Sequence, residues 1–461
     1  MPGQQNIIPI SSVISVGVEF LSSGIPGYNV NNIGLFTTDA FITNPNNDLY
    51  RIYINSYSVG QDFGTSTETY LQAVNVFAQQ PNILNGNGVL VIVPMQGGAI
   101  AGATVGSSAG TGYVQGDILN ITSSTGIGGQ IKVTTIGGYG AITGISILTP
   151  GVLYTATANQ ATTGGTGTAA TITVSSIAQE TMTNALLRAN SYLYFNGILS
   201  TNYGANSTWA ALAAVVQSSS IPQMLFLPSS ALTDINNTFT DIFLATDYYT
   251  RCLYYGGTAQ QARLFAAAYA SKLLSVNWTG SNVCITMNLQ QLQNVDPDTT
   301  LSTTLLSELT TAGVDAYGNY GGSYPGVVCN GANKYADEIS NLVWLVTSLQ
   351  VAGFDALATV GTKIPQTEAG MQLLKGAYRL VFNQAVSNGY LAPGTWTSSD
   401  TFGDQGKFLA NITQFGFYIY SEPVSQQTIA ARAARQAPLV QCACKESGAI
   451  QQSSILVTIN Q

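Results

Sequence analysis

The chain has 461 residues, 45% of them hydrophobic, and a formal net charge of −8. Charged residues make up only 8%, against about 25% in ordinary soluble domains, so Ser, Thr, Asn, Gln and Gly must cover the surface and protect it poorly against self-association. The acidic balance excludes a basic nucleic-acid footprint, no apolar run of about 18 residues announces a membrane helix, and the start Met1-Pro-Gly-Gln-Gln-Asn lacks the features of a signal peptide.

The length exceeds one ordinary core and sets an expectation of about two to four domains. The product is expected to be cytosolic when made. Its five cysteines, Cys252, Cys284, Cys329, Cys442 and Cys444, are odd in number and scattered. Cys442 and Cys444 form C-x-C, which matches neither redox nor zinc spacing, so reduced thiols are expected.

In the first twenty residues Ile14, Val16, Val18 and Phe20 alternate with Val13, Ser15, Gly17 and Glu19, the period of a strand. Residues 1–22 read as an N-terminal arm, followed by a turn-rich linker with Gly24, Pro26 and Gly27. Strands are expected at 32–37, 50–55 and 89–93, with turns at 44–48 and 85–88. A helix is expected over 67–79 and is stopped by Pro81.

At Gln96-Gly-Gly98 the composition changes. From there to about Val174 the only charges are Asp117 and Lys132. Two copies of one unit follow at an offset of 41 residues: Tyr113 maps to Tyr154, and Thr125-Gly-Ile-Gly-Gly-Gln-Ile-Lys-Val133 to Thr166-Gly-Thr-Ala-Ala-Thr-Ile-Thr-Val174. Gly137 to Ile147 reads as a hairpin between them. Residues 98–176 are therefore an inserted glycine-rich all-β domain, because an α/β pattern resumes after it.

That pattern runs helix 178–189, strand 192–195, a helix at 208 capped by Ser207, strand 223–227, helix 233–245, strand 250–255, helix 258–274 and strand 283–287. Strict alternation predicts a mostly parallel sheet built from 23–97 plus 177–282. Residues 283–447 read as an α+β domain. Its helices carry Ile339, Val343, Val346 and Leu349, then Met371, Leu374, Tyr378, Val381, Phe382 and Ala385, with Gly389 as the terminating glycine. A helix over 301–311 and extended segments at 314–322 and 415–420 also fall there. In the last segment, 448–461, Ile455, Val457 and Ile459 alternate as in a strand with no hairpin partner beyond it. The fold class expected is α/β and α+β multidomain.

Catalytic signatures are scarce. The chain has no histidine, which removes the commonest general base and metal ligand. Asp337-Glu338 suits a helix N-terminus. Asp62-Phe-Gly64 matches the kinase magnesium motif but lacks its companion motifs. Gly164-Gly-Thr-Gly167 opens no helix and is no nucleotide loop. The strand-associated tyrosines 192, 194, 248, 249, 254 and 255 read as packing residues, with sugar stacking as the alternative. Arg432 and Arg435, three apart on a small-residue helix, with Lys445 close behind, form a local cationic cluster. No enzyme, cofactor or metal is expected.

An ordered set of motifs carries a resemblance. Asp62-Phe-Gly-Thr-Ser-Thr-Glu-Thr-Tyr70 with Ala78-Gln-Gln-Pro81, Val314-Asp-Ala-Tyr-Gly-Asn-Tyr-Gly-Gly322, Lys363-Ile-Pro-Gln-Thr-Glu-Ala-Gly370, Asn388-Gly-Tyr-Leu-Ala-Pro393, Ala430-Ala-Arg-Ala-Ala-Arg435 and Gly448-Ala-Ile450 resemble contractile-tail bacteriophage sheath proteins over 1–97 and 177–461. The resemblance implies a structural subunit of stacked hexameric rings in a helical lattice, assembled in the host cytoplasm and located in the virion tail. It also implies that the subunit contracts to drive a tail tube through the host envelope. Implied partners are other copies of the chain, the tail tube protein, and the baseplate and tail terminator proteins, with no direct nucleic acid and no membrane insertion. On this view Ile14, Val16, Val18, Phe20, Ile455, Val457 and Ile459 are intersubunit strand residues, Arg432, Arg435 and Lys445 face the tube, and the β insert lies on the outer surface. The rival reading is a glycan-binding or adhesive virion surface protein.

Overall fold

The computed structural model describes residues 29–44, 48–330, 334–451 and 453–457. The expected arm with Ile14, Val16, Val18 and Phe20, the linker at Gly24 to Gly27, and Ile459 lie outside the described residues.

The first strands are β1 (Ile33–Thr37) and β2 (Arg51–Tyr53), followed by helices α1 (Ser56–Phe63) and α2 (Glu68–Ala78) and then β3 (Leu90–Pro94). The Thr67 side chain accepts from the Tyr70 N–H and caps α2, as its position before the apolar-periodic run requires. The β insert holds β4 (Ala99–Thr111), β5 (Ile118–Ile121), β6 (Gln130–Ile136), β7 (Ile142–Thr149), β8 (Gln160–Thr163) and β9 (Thr168–Ala178). After it come α3 (Met182–Asn190), β10 (Gly197–Ser200), α4 (Trp209–Gln217), β11 (Met224–Ser229), α5 (Leu232–Asp234), α6 (Thr240–Leu244) and β12 (Thr250–Tyr254). A π-helical turn, Ile235–Phe239, joins α5 to α6. The chain continues through α7 (Ala259–Leu273), α8 (Thr303–Thr311), β13 (Asp315–Tyr320), β14 (Tyr324–Val328), α9 (Ala336–Ala358), α10 (Glu368–Asn388), α11 (Gln405–Phe415), β15 (Phe417–Ser421), α12 (Ile429–Ala433) and β16 (Val440–Cys444).

Among the described residues the main sheet has eight strands, in the order β14-β13-β12-β11-β10-β1-β3-β2. Six central strands are parallel, and β2 and β14 add antiparallel edges. Period-two alternation divides its side chains between two cores. Ile33, Leu35, Leu90, Ile92, Leu199, Phe226 and Leu253 face α2, α7 and α9. Phe36, Val91, Val93, Ile198, Leu225, Leu227 and Cys252 face α3, α4 and α8. α7 fits its side because its inward face is mostly alanine, and its start carries a reciprocal capping box between Thr258 and Gln261.

Several expectations are corrected. Residues 192–195 form no strand; the strand is β10, because the Asn196 and Gly197 N–H groups both donate to the Asn32 carbonyl and set the parallel register. Phe195 instead turns inward, its ring edge-on to Phe36 at 5.7 Å. Gly34 leaves the space for it, since a Cβ there would lie 2.7 Å from the Phe195 ring. Ser207 caps nothing: Thr208 precedes α4, and its hydroxyl bonds the Ala205 carbonyl instead. Residues 283–287 form no strand because the Val283 and Cys284 N–H groups both go to the Asn388 carbonyl at the end of α10, which would otherwise be unsatisfied. β13 pairs in parallel with β12, so the boundary expected at residue 282 falls inside the domain of the main sheet.

The insert folds as a separate six-stranded sheet in the order β4-β9-β8-β5-β6-β7. Its repeat packs reciprocally. Gly126 of the first copy lies against the Tyr154 ring, and its equivalent Gly167 lies against Tyr113, where a Cβ would come within 2.3 and 2.5 Å of the rings. The Tyr154 hydroxyl also accepts from the Gly129 N–H at 3.0 Å and donates to the Ile121 carbonyl at 3.1 Å. At the root, Gln96 N–H donates to the Glu180 carboxylate at 3.0 Å and Glu180 N–H to the Gln96 carbonyl at 2.9 Å. Arg188 holds the same carboxylate through both Nε and Nη2.

Among the described residues one helix, α9, is long and apolar enough to cross a membrane. It buries Ile339, Val343 and Trp344 in the main core.

Candidate functional site

In an open α/β sheet the usual ligand position is outside the strand ends where the winding reverses. Here that point lies between β1 and β10, and it is filled by protein. Thr37 and Thr69 share a hydroxyl contact of 2.6 Å, and the Thr69 hydroxyl donates to Asp39 at 2.6 Å. Gln72 donates to the Ser200 carbonyl, and Arg263 pairs with Glu68 across α2 and α7. Thr37, Thr69, Gln72 and Ser200 are all buried. Most of the groups that would greet a ligand are bonded to each other, although the Gln72 Oε1 is buried without a partner among the described residues.

α9 docks on the main sheet through stacked indoles, with Trp344 4.8 Å from Trp278 and 9° from parallel. Ahead of α9 a buried network joins four segments: Arg251 is ion-paired through two nitrogens to Asp315, Tyr269 donates to that carboxylate at 2.6 Å, and Asn330 N–H donates to it at 2.8 Å. α10 begins at the Thr367 cap and ends at left-handed Gly389, as expected. β15 and β16 form a two-stranded antiparallel sheet over α11, with Phe408, Ile412 and Tyr418 beneath it.

The cationic candidates do not form one helical face. α12 ends at Ala433; Arg432 is exposed on it, but Arg435 lies beyond the cap with φ 56°. Lys445 is half-buried at the end of β16, with its Nζ 3.4 Å from the Glu446 carbonyl. No ion pair engages any of the three among the described residues. Tyr192 and Tyr194 leave the sheet with their segment, and the Tyr192 hydroxyl accepts from Arg188 at 2.8 Å.

All five cysteines are free. Burial pushes the Cys444 thiol up to about 11, which leaves it a poor nucleophile, whereas Cys442 is exposed. No group of three or more Cys, Asp or Glu among the described residues could hold a metal.

The tail is rooted and then let go. Leu391 and Glu446 form an antiparallel bridge, Ser447 N–H donates to the Tyr390 carbonyl, and Gln451 reaches the Thr286 hydroxyl at 3.0 Å. Beyond it, residues 453–457 carry no regular structure in the single chain, and Ile455, Leu456 and Val457 are 85%, 92% and 72% exposed. Leu357, Leu373, Leu380, Ile429, Leu439 and Ile450 are exposed in the same unit. Sequence reasoning gave the alternation but not this accumulation, which depends on how the helices pack.

Residues 336–459 match the family model of the C-terminal domain of E217 tail sheath protein gp31-like proteins. This segment is similar to a phage tail sheath domain. The match covers about a quarter of the chain, at its C-terminal end. Among solved structures, the sheath tail protein Lin1278 from Listeria innocua aligns over 90% of this chain and 95% of its own, at 12% identity and a TM-score of 0.45. No curated protein matches the sequence.

Proposed function

We propose that the chain is the repeating subunit of a contractile tail sheath, polymerising as stacked hexameric rings around a tail tube and contracting to drive that tube through a host envelope. One observation carries this reading: the tail-sheath match ends in an exposed apolar tail, Ile455 to Val457, that the described residues leave uncovered. Side chains of this kind are stabilised by a neighbour's surface, and a lone strand adds to an open sheet edge.

The energetics suit a lattice. Burying Ile455, Val457 and Ile459 gains roughly 1.5–3 kcal/mol each. Ordering the backbone costs about 1–2 kcal/mol per residue. One tail is marginal; many tails in a closed array act at high effective concentration. The filled crevice at the winding reversal and the absence of histidine support a role without catalysis. Arg432 and Arg435, both exposed, remain the candidates for contact with an acidic tube, together with Lys445.

Electron microscopy of the purified protein tests the reading. Tubes or striated polysheaths are expected, and their loss on deleting residues 1–20 or 453–461. A chain that stays monomeric at all concentrations overturns it.

The adhesive alternative has one observation in its favour. Tyr139 is 96% exposed at the tip between β6 and β7, with φ 56°. Glycan binding that persists in the isolated subunit and vanishes with residues 98–176 would favour that reading.

A further inference from the structure

A cavity of about 160 Å³ lies where the tail leaves the body, walled by the start of α9, residues 284–286, Gly389 and Tyr390, and residues 446–449. Three carboxylates line it: Asp337, Glu338 and Glu446. Two are engaged. Glu338 accepts from the Tyr335 N–H at 3.2 Å, and Glu446 accepts from the Tyr390 hydroxyl at 3.0 Å. Asp337 is different: the residue is 8% exposed, and its Oδ1 is buried without a hydrogen-bond partner among the described residues. Among the described residues no lysine or arginine lines the cavity. An unpaired buried carboxylate oxygen is costly unless something supplies a donor or a positive charge.

We propose that this cavity receives the cationic head of an arginine or lysine side chain from a second copy of the chain. The three carboxylates do not converge closely enough to hold a metal ion. A guanidinium presents several N–H donors spread over a planar fork, and an ammonium three that rotate, so either spans separated acceptors as a point ion does not. The volume fits one such head group. The donor belongs to another copy because the cavity wall has no cation, whereas Arg432 and Arg435 stand exposed and unpaired on the surface. Filling the cavity would fix a neighbour beside Glu446 and Ser447, from which the exposed tail departs. The inference rests on the assembly reading above.

Burial, reinforced by Glu338 and Asp315 and opposed by its own backbone N–H and by Arg251, pushes the Asp337 carboxyl up to about 6. Burial raises the facing Cys284 thiol as well, and burial with Glu446 raises the Tyr390 phenol, so both stay neutral near pH 7. The cavity is then anionic at that pH and open to a cation.

The test uses the full chain at pH 7.5. Asp337→Asn is expected to raise the thermal midpoint of the unassembled protein, because it removes an unpaired buried charge, and to raise the critical concentration for polymerisation by about tenfold. Arg432→Ala with Arg435→Ala is expected to leave the midpoint unchanged, raise the critical concentration, and fail to add to Asp337→Asn. Methylguanidinium chloride is expected to raise the wild-type midpoint above that in sodium chloride at equal ionic strength, and not to do so in Asp337→Asn. A lowered midpoint in Asp337→Asn with unchanged polymerisation overturns the proposal and leaves Asp337 as a helix N-terminal acid. If the wild type never polymerises, the assembly reading fails first; the methylguanidinium comparison then decides the cavity alone, and equal midpoints in the two salts overturn it as a cation site.

Discussion

Arg251 on β12 and Asp315 on β13 are paired inside the sheet, and the pair is the knot that fastens the C-terminal helices to the body. Asp315 is fully buried, and Arg251 also donates to the Lys334 carbonyl just before α9. Arg251→Met should strand the carboxylate and cost about 3–5 kcal/mol, whereas Arg251→Met with Asp315→Leu should cost clearly less. Urea unfolding midpoints check this; equal losses in the two variants would refute the pairing argument.

The two ends of the β insert are hydrogen-bonded to each other at Gln96 and Glu180. Replacing residues 98–177 by a short glycine-serine linker should therefore leave the main sheet folded. Circular dichroism should report a thermal midpoint within a few degrees of the parent. Glu180→Ala should destabilise by about 3–5 kcal/mol, since it strands the buried part of Arg188.

Much of this architecture is legible in the residues. β1, β3 and β11 are largely apolar runs, and Thr67, Thr258 and Gly389 sit where caps belong. The β insert announces itself by its repeat. The failures have particular causes. β10 is short, begins at Gly197 and is overshadowed by the aromatic residues before it. β14 contains Pro325 and Gly326, which only an edge strand tolerates. Residues 283–287 look like a strand until the Asn388 carbonyl, about a hundred residues away, claims their N–H groups. The small residues around Arg435 suggest a helix that in fact ends two residues earlier, at Ala433. Asp337 was readable as a helix-start acid, but its unmet oxygen depends on walls contributed by residues 389–390 and 446–449.

The reciprocal tyrosines give a third prediction. Tyr154→Phe removes two hydrogen bonds and should cost about 1–3 kcal/mol by leaving the Ile121 carbonyl and Gly129 N–H unsatisfied. Gly126→Ala and Gly167→Ala should each be worse than Tyr154→Phe, because the added methyl overlaps a ring that cannot move aside. Hydrogen exchange should show the loss confined to β4–β9.

The tail gives a fourth. Ile455→Asp with Val457→Asp should change monomer stability by less than about 0.5 kcal/mol, since both side chains are already in water. Polymer yield by sedimentation should fall sharply. A matched fall in monomer stability would place the tail within its own chain.

Asp337 gives a fifth, through pH. Its carboxyl is raised to about 6 from the ordinary 3.8, so from about pH 4 to 6 the unfolded chain gives up its proton first and the fold loses stability as pH rises. The penalty is complete above pH 6, at about 3 kcal/mol. Wild type and Asp337→Asn should therefore match near pH 4 and diverge by about that amount at pH 7.5 in denaturant titrations of the unassembled chain.

The parallel indoles of Trp278 and Trp344 belong to different parts of the molecule, one in the loop after α7 and the other on α9. Two chromophores stacked this closely exchange excitation, and the resulting near-ultraviolet signal exists only while both hold their places. The chain thus carries its own optical gauge of whether the C-terminal helices sit on the sheet, readable in a cuvette without labels, in free subunits and polymers alike.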